Sequence, residues 1–300
     1  MITCSANAVK SELHIKELRE GDISAVEVRG IDLPDTSKTF DCGQCFRFER
    51  VENSRHESEW GGVAFGRYVS FANEGDRLYV YNSTEKEFEK IWRPYLDLDT
   101  DYLTIDRDIL SRSDTEALKN AVSFGHGIRI LRQEPWETVC SFIISQNNNI
   151  PRIKKIIRAL SERAGERIPG TDEFSFPTAD AVEALGEKEL FELRTGFRAK
   201  YIYDAAKKVK EGDVDLLSIP RLTTAEGAEI LCDIKGIGPK VAACSLLFGF
   251  GKYDAFPVDV WIKKVIEKYF EGGFDPARLG PYAGVAQQYL FYYERYLGGE

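Results

Sequence analysis

Two residues of this chain stand where they can do chemistry together. Lys240 opens a helix directly after the turn Gly236-Ile-Gly-Pro239, and Asp259 ends a Phe-Pro-Val-Asp segment nineteen residues further on. A Gly-x-Gly turn that leads into a helix leaves backbone N–H groups pointing outward at the positive end of the helix dipole. Such an anion site suits a backbone phosphate and reads no sequence. An amine and a carboxylate beside it add a candidate reactive pair to a phosphate clamp.

The elements that must position this pair are two helices and a hairpin. Leu231 and Ile234 end the first helix, Gly236 and Gly238 are expected to supply unusual backbone angles, and Pro239 fits the first position of the next helix. The apolar run 241–250 then carries that helix into a core. Taken alone, two glycines and a lysine more readily describe a connector between core helices with a solvated lysine.

Gly236-Ile-Gly-Pro-Lys240 followed by Pro257-Val-Asp259 resembles the hairpin and catalytic loop of the helix-hairpin-helix DNA glycosylases, and within that superfamily the 8-oxoguanine DNA glycosylase/lyases. Further motifs match in the same chain order, over about residues 30–295. Three consecutive asparagines are poor helix formers and costly to bury, so Ser145-Gln-Asn-Asn-Asn-Ile-Pro-Arg152 belongs at an exposed or functional turn. It resembles the family loop that enters the duplex, which implies that Asn147 fills the space left by a flipped nucleotide and Arg152 contacts the orphaned cytosine. In Gly196-Phe-Arg-Ala-Lys-Tyr201 a glycine at a helix junction exposes an aromatic and an arginine together, a pairing suited to a wedge and a base reader. The resemblance gives those roles to Phe197 and Arg198.

Gln287 and Phe291, four apart on one helix face, match the family pair that holds the flipped base by its edge and by stacking. Cys244 would face the other side of that base. Phe40-Asp-Cys-Gly-Gln-Cys-Phe-Arg47 matches the segment in which a glycine carbonyl, here that of Gly43, accepts the N7 hydrogen that distinguishes 8-oxoguanine from guanine. Phe197 replaces the usual Tyr, Trp261 replaces the usual His, and Pro151 stands beside Arg152. The implied chemistry is attack of the Lys240 amine on the sugar C1′, with Asp259 stabilising developing positive charge, then an imine and β-elimination. A lysine-independent alkylbase glycosylase and a non-catalytic hairpin protein that grips phosphate are the competing readings.

Length and composition frame the fold. The 300 residues are 43% hydrophobic and 30% charged, ordinary for a globular protein with ample core. The net charge of −9 opposes nucleic-acid binding, but residues 194–210 carry six basic side chains against the single acid Asp204. Six cysteines at 4, 42, 45, 140, 232 and 244 form no dense framework and are expected to be reduced thiols. With three histidines and one CxxC pair, no metal, iron–sulfur cluster or other cofactor is expected. No signal-like or membrane-spanning run is visible, so a cytoplasmic location is expected, at the nucleoid of a prokaryote or in the nucleus of a eukaryote. The partner that the resemblance implies is double-stranded DNA containing 8-oxoguanine, and the protein is expected to be a monomer.

The fold class expected is α+β: an N-terminal antiparallel sheet domain with its following helices over 1–125, then a helical region over 126–300. The runs Phe46-Arg-Phe48, Gly62 to Phe71 and Arg77 to Tyr81 read as strands, with Asn-Glu-Gly-Asp turn chemistry at 73–76. Glu85–Leu96, Thr100–Gly125 and Pro135–Ile144 read as helices, with Asp114 or Thr115 as a cap. The hairpin is placed at 231–241 and the last helix at 281–297.

Overall fold

The computed structural model describes residues 13–297 except 21, 22, 31, 53, 55, 114 and 271–273. Six antiparallel strands come first in the order β1-β2-β6-β5-β4-β3: β1 (His14–Glu20), β2 (Ile23–Arg29), β3 (Phe48–Arg50), β4 (Glu59–Ala64), β5 (Arg67–Glu74) and β6 (Arg77–Tyr81). The run Gly62–Phe71 is not one strand. Phe65 and Gly66 adopt positive φ of 52° and 66°, so the chain reverses there and joins β4 to β5 by a two-residue turn. An aromatic in a left-handed turn gives no turn signal in sequence. What holds it is tertiary: the Phe65 N–H donates to Glu134 at 2.8 Å, and the ring packs edge-on to Trp92 and Tyr95. The turn at Gly75, φ 58°, falls where the polar cluster put it. Strand β1, whose charges fall in the pairs Lys16-Glu17 and Arg19-Glu20 and give no alternating pattern, lies outside the strands expected, and residues 46 and 47 lie outside β3.

One face of the sheet packs on the short helix α1 (Thr36–Asp41) and on the stretch 85–95, where α2 (Glu85–Glu87), a π turn (Phe88–Trp92) and α3 (Arg93–Tyr95) follow each other. Phe40, Phe48, Phe71, Trp92 and Tyr95 form its aromatic core. The expected helix over 100–125 is two: α4 (Tyr102–Arg112), capped by Asp101, and α5 (Glu116–Gly125), separated by extended Ser113. Thr115 is the N-cap residue but makes no capping bond; Asp114 lies outside the described residues.

Helices then build the second core: α6 (Pro135–Ser145), α7 (Ile150–Ala164), α8 (Ala179–Leu190), α9 (Ala199–Glu211), α10 (Thr224–Cys232), α11 (Pro239–Phe250), α12 (Val260–Tyr269) and α13 (Ala283–Leu297). No helix among the described residues is long and apolar enough to cross a membrane. Buried polar groups staple the two cores together. Asp97, 2% exposed, accepts from Thr100 and Tyr102 on one side and from Arg132 and Tyr253 on the other.

Glu137 lies at the same junction, 3.5 Å from Arg47. Burial raises its pKa from an ordinary 4.5 to about 7; Arg47 opposes the shift and Glu134 adds to it. The folded state therefore holds a proton that the unfolded chain has released, and this contribution to stability is lost as pH rises through about 7. Melting curves should show Glu137→Gln gaining on the wild type between about pH 5 and about pH 8; a difference independent of pH would mean that Glu137 is ionised throughout.

Candidate active site

The hairpin is built against α9. A Cβ on Gly236, φ +83°, would sit 2.5 Å from the Tyr201 ring, so this position needs glycine both for its backbone angle and for its contact. Asp204 accepts from the Lys235 N–H at 2.8 Å, and Lys208 reaches the Asp233 carboxylate at 2.9 Å. Gly238 departs from expectation: its φ of −110° and ψ of −177° are ordinary extended values. Its use is space. It is the N-cap of α11 with no capping side chain, and nothing lies within 4 Å of where its Cβ would be. The first-turn N–H groups of Lys240 and Val241 are thus left without an intrahelical partner or a cap.

Lys240 rises from this first turn, its amine 5.7 Å from the centre of the Phe142 ring, and has no ion-pair partner among the described residues. Asp259 caps α12, accepting the Ile262 N–H at 2.8 Å. Cys244 stands one turn beyond Lys240 on α11 and shares a side-chain hydrogen bond with it. Burial raises its thiol pKa to about 11, Lys240 acting to lower it and Asp259 to raise it, so the three groups share one electrostatic environment and Cys244 stays protonated at neutral pH.

Gly284, which sequence reasoning missed, allows α13 to approach this centre. A Cβ there would lie 2.3 Å from the Ala255 carbonyl, and its N–H donates to the Tyr253 carbonyl at 2.7 Å, so α13 docks on the loop that leads to Asp259. A glycine inside a helical pattern was the available signal. Gln287 of α13 is 4% exposed, yet its Oε1 has no hydrogen-bond partner among the described residues. Phe291, one turn on, lies 3.4 Å from the position a Gly43 Cβ would occupy, with Gly43 at φ +79°. Lys240, Asp259 and Cys244 thus form one group, and Gly43 and Phe291 meet one turn of α13 from Gln287.

The asparagine loop joins α6 to α7. Asn147 is exposed at φ +47°, Asn149 caps α7 by accepting the Arg152 N–H at 3.0 Å, and the Arg152 side chain is exposed. Phe197, 49% exposed, projects from a short 3₁₀ turn over Gly196–Arg198. Arg198 does not project with it. It is 2% exposed and donates to the carbonyls of Gln146 at 2.8 Å, Asn147 at 2.9 Å and Thr195 at 3.1 Å, beneath the Phe197 ring. Burial and then the nearby charge of Arg152 lower its pKa. An arginine spent on three backbone acceptors organises the loop in this conformation; the expectation that it faces an opposite base does not describe this geometry.

Comparison with known proteins bears on this arrangement. Residues 30–139 match the family model of the 8-oxoguanine DNA glycosylase N-terminal domain, and 140–275 that of the HhH-GPD superfamily of base excision DNA repair proteins. The 8-oxoguanine glycosylase/lyase of Clostridium acetobutylicum, solved with double-stranded DNA containing cytosine opposite 8-oxoG, is 40% identical with a TM-score of 0.86, over 96% of this chain and 99% of that one. The chain belongs to the 8-oxoguanine DNA glycosylase/lyase family. The N-glycosylase/DNA lyase OGG1 of Arabidopsis thaliana is 34% identical over 57% of this chain, and the N-glycosylase/DNA lyase of Saccharomyces cerevisiae 38% identical over 48%. The match spans about half the length of each of these two relatives, 49% and 42%.

Family membership places the departures in a known frame. Trp261, where the family usually has His, is 40% exposed on the first turn of α12 beside 70% exposed Val260, with the Lys264 amine 5.1 Å from its ring. Cys42 and Cys45 of the CxxC pair are both buried thiols, and the described residues hold no cluster of three metal-ligand side chains. The tight contact at Gly236 gives a direct expectation. Gly236→Ala should lose about 1 to 3 kcal/mol for the left-handed backbone alone, and more for displacing Tyr201; chemical denaturation that finds the variant as stable as wild type would contradict the packing described.

Proposed function

We propose that this chain excises 8-oxoguanine from duplex DNA and then cleaves the strand, using Lys240 for both steps. The observation that carries the proposal is the grouping at the hairpin: an amine on the first turn of α11 with no ion-pair partner among the described residues, the Asp259 carboxylate capping α12, and Cys244, which feels both charges. The open N–H groups after Gly238 suit a phosphate of the damaged strand, and Gln287 with its orphaned Oε1 suits the donor edge of a purine.

Neutral Lys240 attacks C1′ as the bond to the base N9 breaks, and the departing base takes that electron pair and a proton. Positive charge grows on the sugar ring in the transition state, where Asp259 stabilises it. The new C1′–N amine loses a proton as the ring oxygen leaves, giving the imine. Removal of a C2′ proton then expels the 3′ phosphate, and water releases the lysine. Asn147 and Phe197 fill the gap left by the flipped nucleotide, whose unstacking costs about a few kcal/mol.

Borohydride trapping on an 8-oxoguanine:cytosine duplex tests this directly. Lys240→Gln should give no base release and no trapped adduct while still binding the duplex; undiminished nicking by that variant would sink the assignment. Asp259→Asn keeps an N-cap side chain, so its loss isolates the charge, and the single-turnover rate should fall by about 10²- to 10³-fold.

The two arginines separate by geometry. Arg152 is free to meet the O2 and N3 acceptors of an orphaned cytosine, a contact worth about 1 to 3 kcal/mol. Excision opposite cytosine should exceed that opposite adenine by at least about tenfold, and Arg152→Ala should narrow the gap. Arg198→Ala instead releases the 146–147 loop and should weaken duplex binding whatever the opposite base. Rates and affinities against all four bases distinguish these effects; a gap narrowed only by Arg198→Ala would reverse the assignment.

A further inference from the structure

Around Gly43 the backbone acceptors are engaged one after another. Gln288 of α13 donates through Nε2 to the Cys42 carbonyl at 2.7 Å, and Arg295 donates to the Asp41 carbonyl at 2.8 Å. From the opposite side Gln133 donates to the Gln44 carbonyl at 2.8 Å. The Gln44 side chain, 1% exposed, donates to the Thr39 and Arg129 carbonyls at 2.9 and 2.8 Å and accepts the Leu131 N–H at 2.9 Å. Of the four carbonyls from Asp41 to Gln44, that of Gly43 is the one without a donor among the described residues.

Glycine is the softest link in a backbone, and Gly43 is held at φ +79° between these clamps. If the Cys42 carbonyl were free, the Cys42–Gly43 peptide would be free to rotate and the direction of the next carbonyl would go with it. Gln288 is 2% exposed, so water does not compete for its bond. Consecutive residues of a helix point about 100° apart, which lets neighbouring glutamines work on different faces: Gln288 on the backbone that carries Gly43, Gln287 with its unpartnered Oε1 elsewhere.

Resting on the function proposed above, we propose that Gln288 is a positioning residue for lesion discrimination. By fixing the Cys42 carbonyl it aims the Gly43 carbonyl into the base pocket beside Phe291. There that carbonyl accepts the N7 hydrogen of 8-oxoguanine, and it meets the N7 lone pair of guanine unfavourably. A misaimed carbonyl loses the attraction and the rejection together. Chemistry on an abasic sugar, which has no base to recognise, is untouched.

Gln288→Ala removes the donor, and Gln288→Met removes it while nearly preserving side-chain volume. Two single-turnover rates are measured for each: base release from an 8-oxoguanine:cytosine duplex, and nicking of the same duplex carrying a preformed abasic site. Both variants should release base about tenfold more slowly, from the lost buried bond and the carbonyl left unsatisfied, while nicking changes by less than about twofold. Wild-type release rates in both, or release and nicking falling in parallel in Gln288→Met, overturn the proposal. A wild-type protein that nicks abasic DNA but releases no 8-oxoguanine would instead overturn the substrate reading beneath it.

Discussion

The contact on which the placement of the site depends is that of the Gly236 backbone with the face of Tyr201. Because no Cβ intervenes, α10 and α11 reverse within a few residues while pressed against α9, and the reversal delivers the N-terminus of α11 to the surface with its cap position empty. Everything reactive follows from that placement. Lys240 is on the first turn, Cys244 one turn deeper, and Asp259, whose charge Cys244 feels, ends a loop that is docked on α13 through Gly284.

Much of this was legible in the sequence because backbone chemistry carries strong local signals. The Gly-x-Gly-Pro-Lys hairpin, the Asn-Glu-Gly-Asp turn and the apolar run of α11 each have a composition that only a few conformations satisfy. The remainder depended on partners distant in sequence. Phe65 turns the chain because Glu134 and two aromatic rings hold it there, and no local rule puts phenylalanine in a left-handed turn. Gly238 reads like Gly236 in sequence but differs in structure, one needing its φ and the other only its emptiness. Arg198 reads as an exposed base reader because its neighbour Phe197 is exposed; its burial is set by carbonyls some fifty residues earlier.

Where charges are neutralised reconciles the acidic balance of the chain with the anionic partner that the proposed function requires. Many carboxylates are consumed in internal pairs: Asp97 with Arg132, Asp32 with Arg129, Asp108 with Arg112, Glu294 with Lys268. Near the site the cations are instead left unpaired. Among the described residues Arg152, Lys240, Lys263 and Lys264 have no ion-pair partner, and the last three lie on or beside the first turns of α11 and α12. At physiological salt, charges more than about 8 Å apart are largely screened, so this local excess, rather than the net −9, is what a phosphate backbone meets on contact.

The same logic explains why the protein tolerates a buried arginine with no acid beside it. Asn147, Arg194 and Gly196 all hold positive φ, at 47°, 65° and 61°, on the two segments that Arg198 joins. For the two non-glycine residues such backbone costs of order 1 to 3 kcal/mol each. Hydrogen bonds to a charged donor contribute about 1.5 to 3 kcal/mol each, and Arg198 makes them to Gln146, Asn147 and Thr195. The balance sets the loop's shape before any duplex arrives. A wedge must enter the stack at the moment a base leaves it, and a loop already folded adds no ordering entropy to that step. Arg198 is thus the cationic keystone of a strained turn, and on the function proposed above it would serve insertion from beneath while the exposed side chains of Asn147, Arg152 and Phe197 meet the DNA.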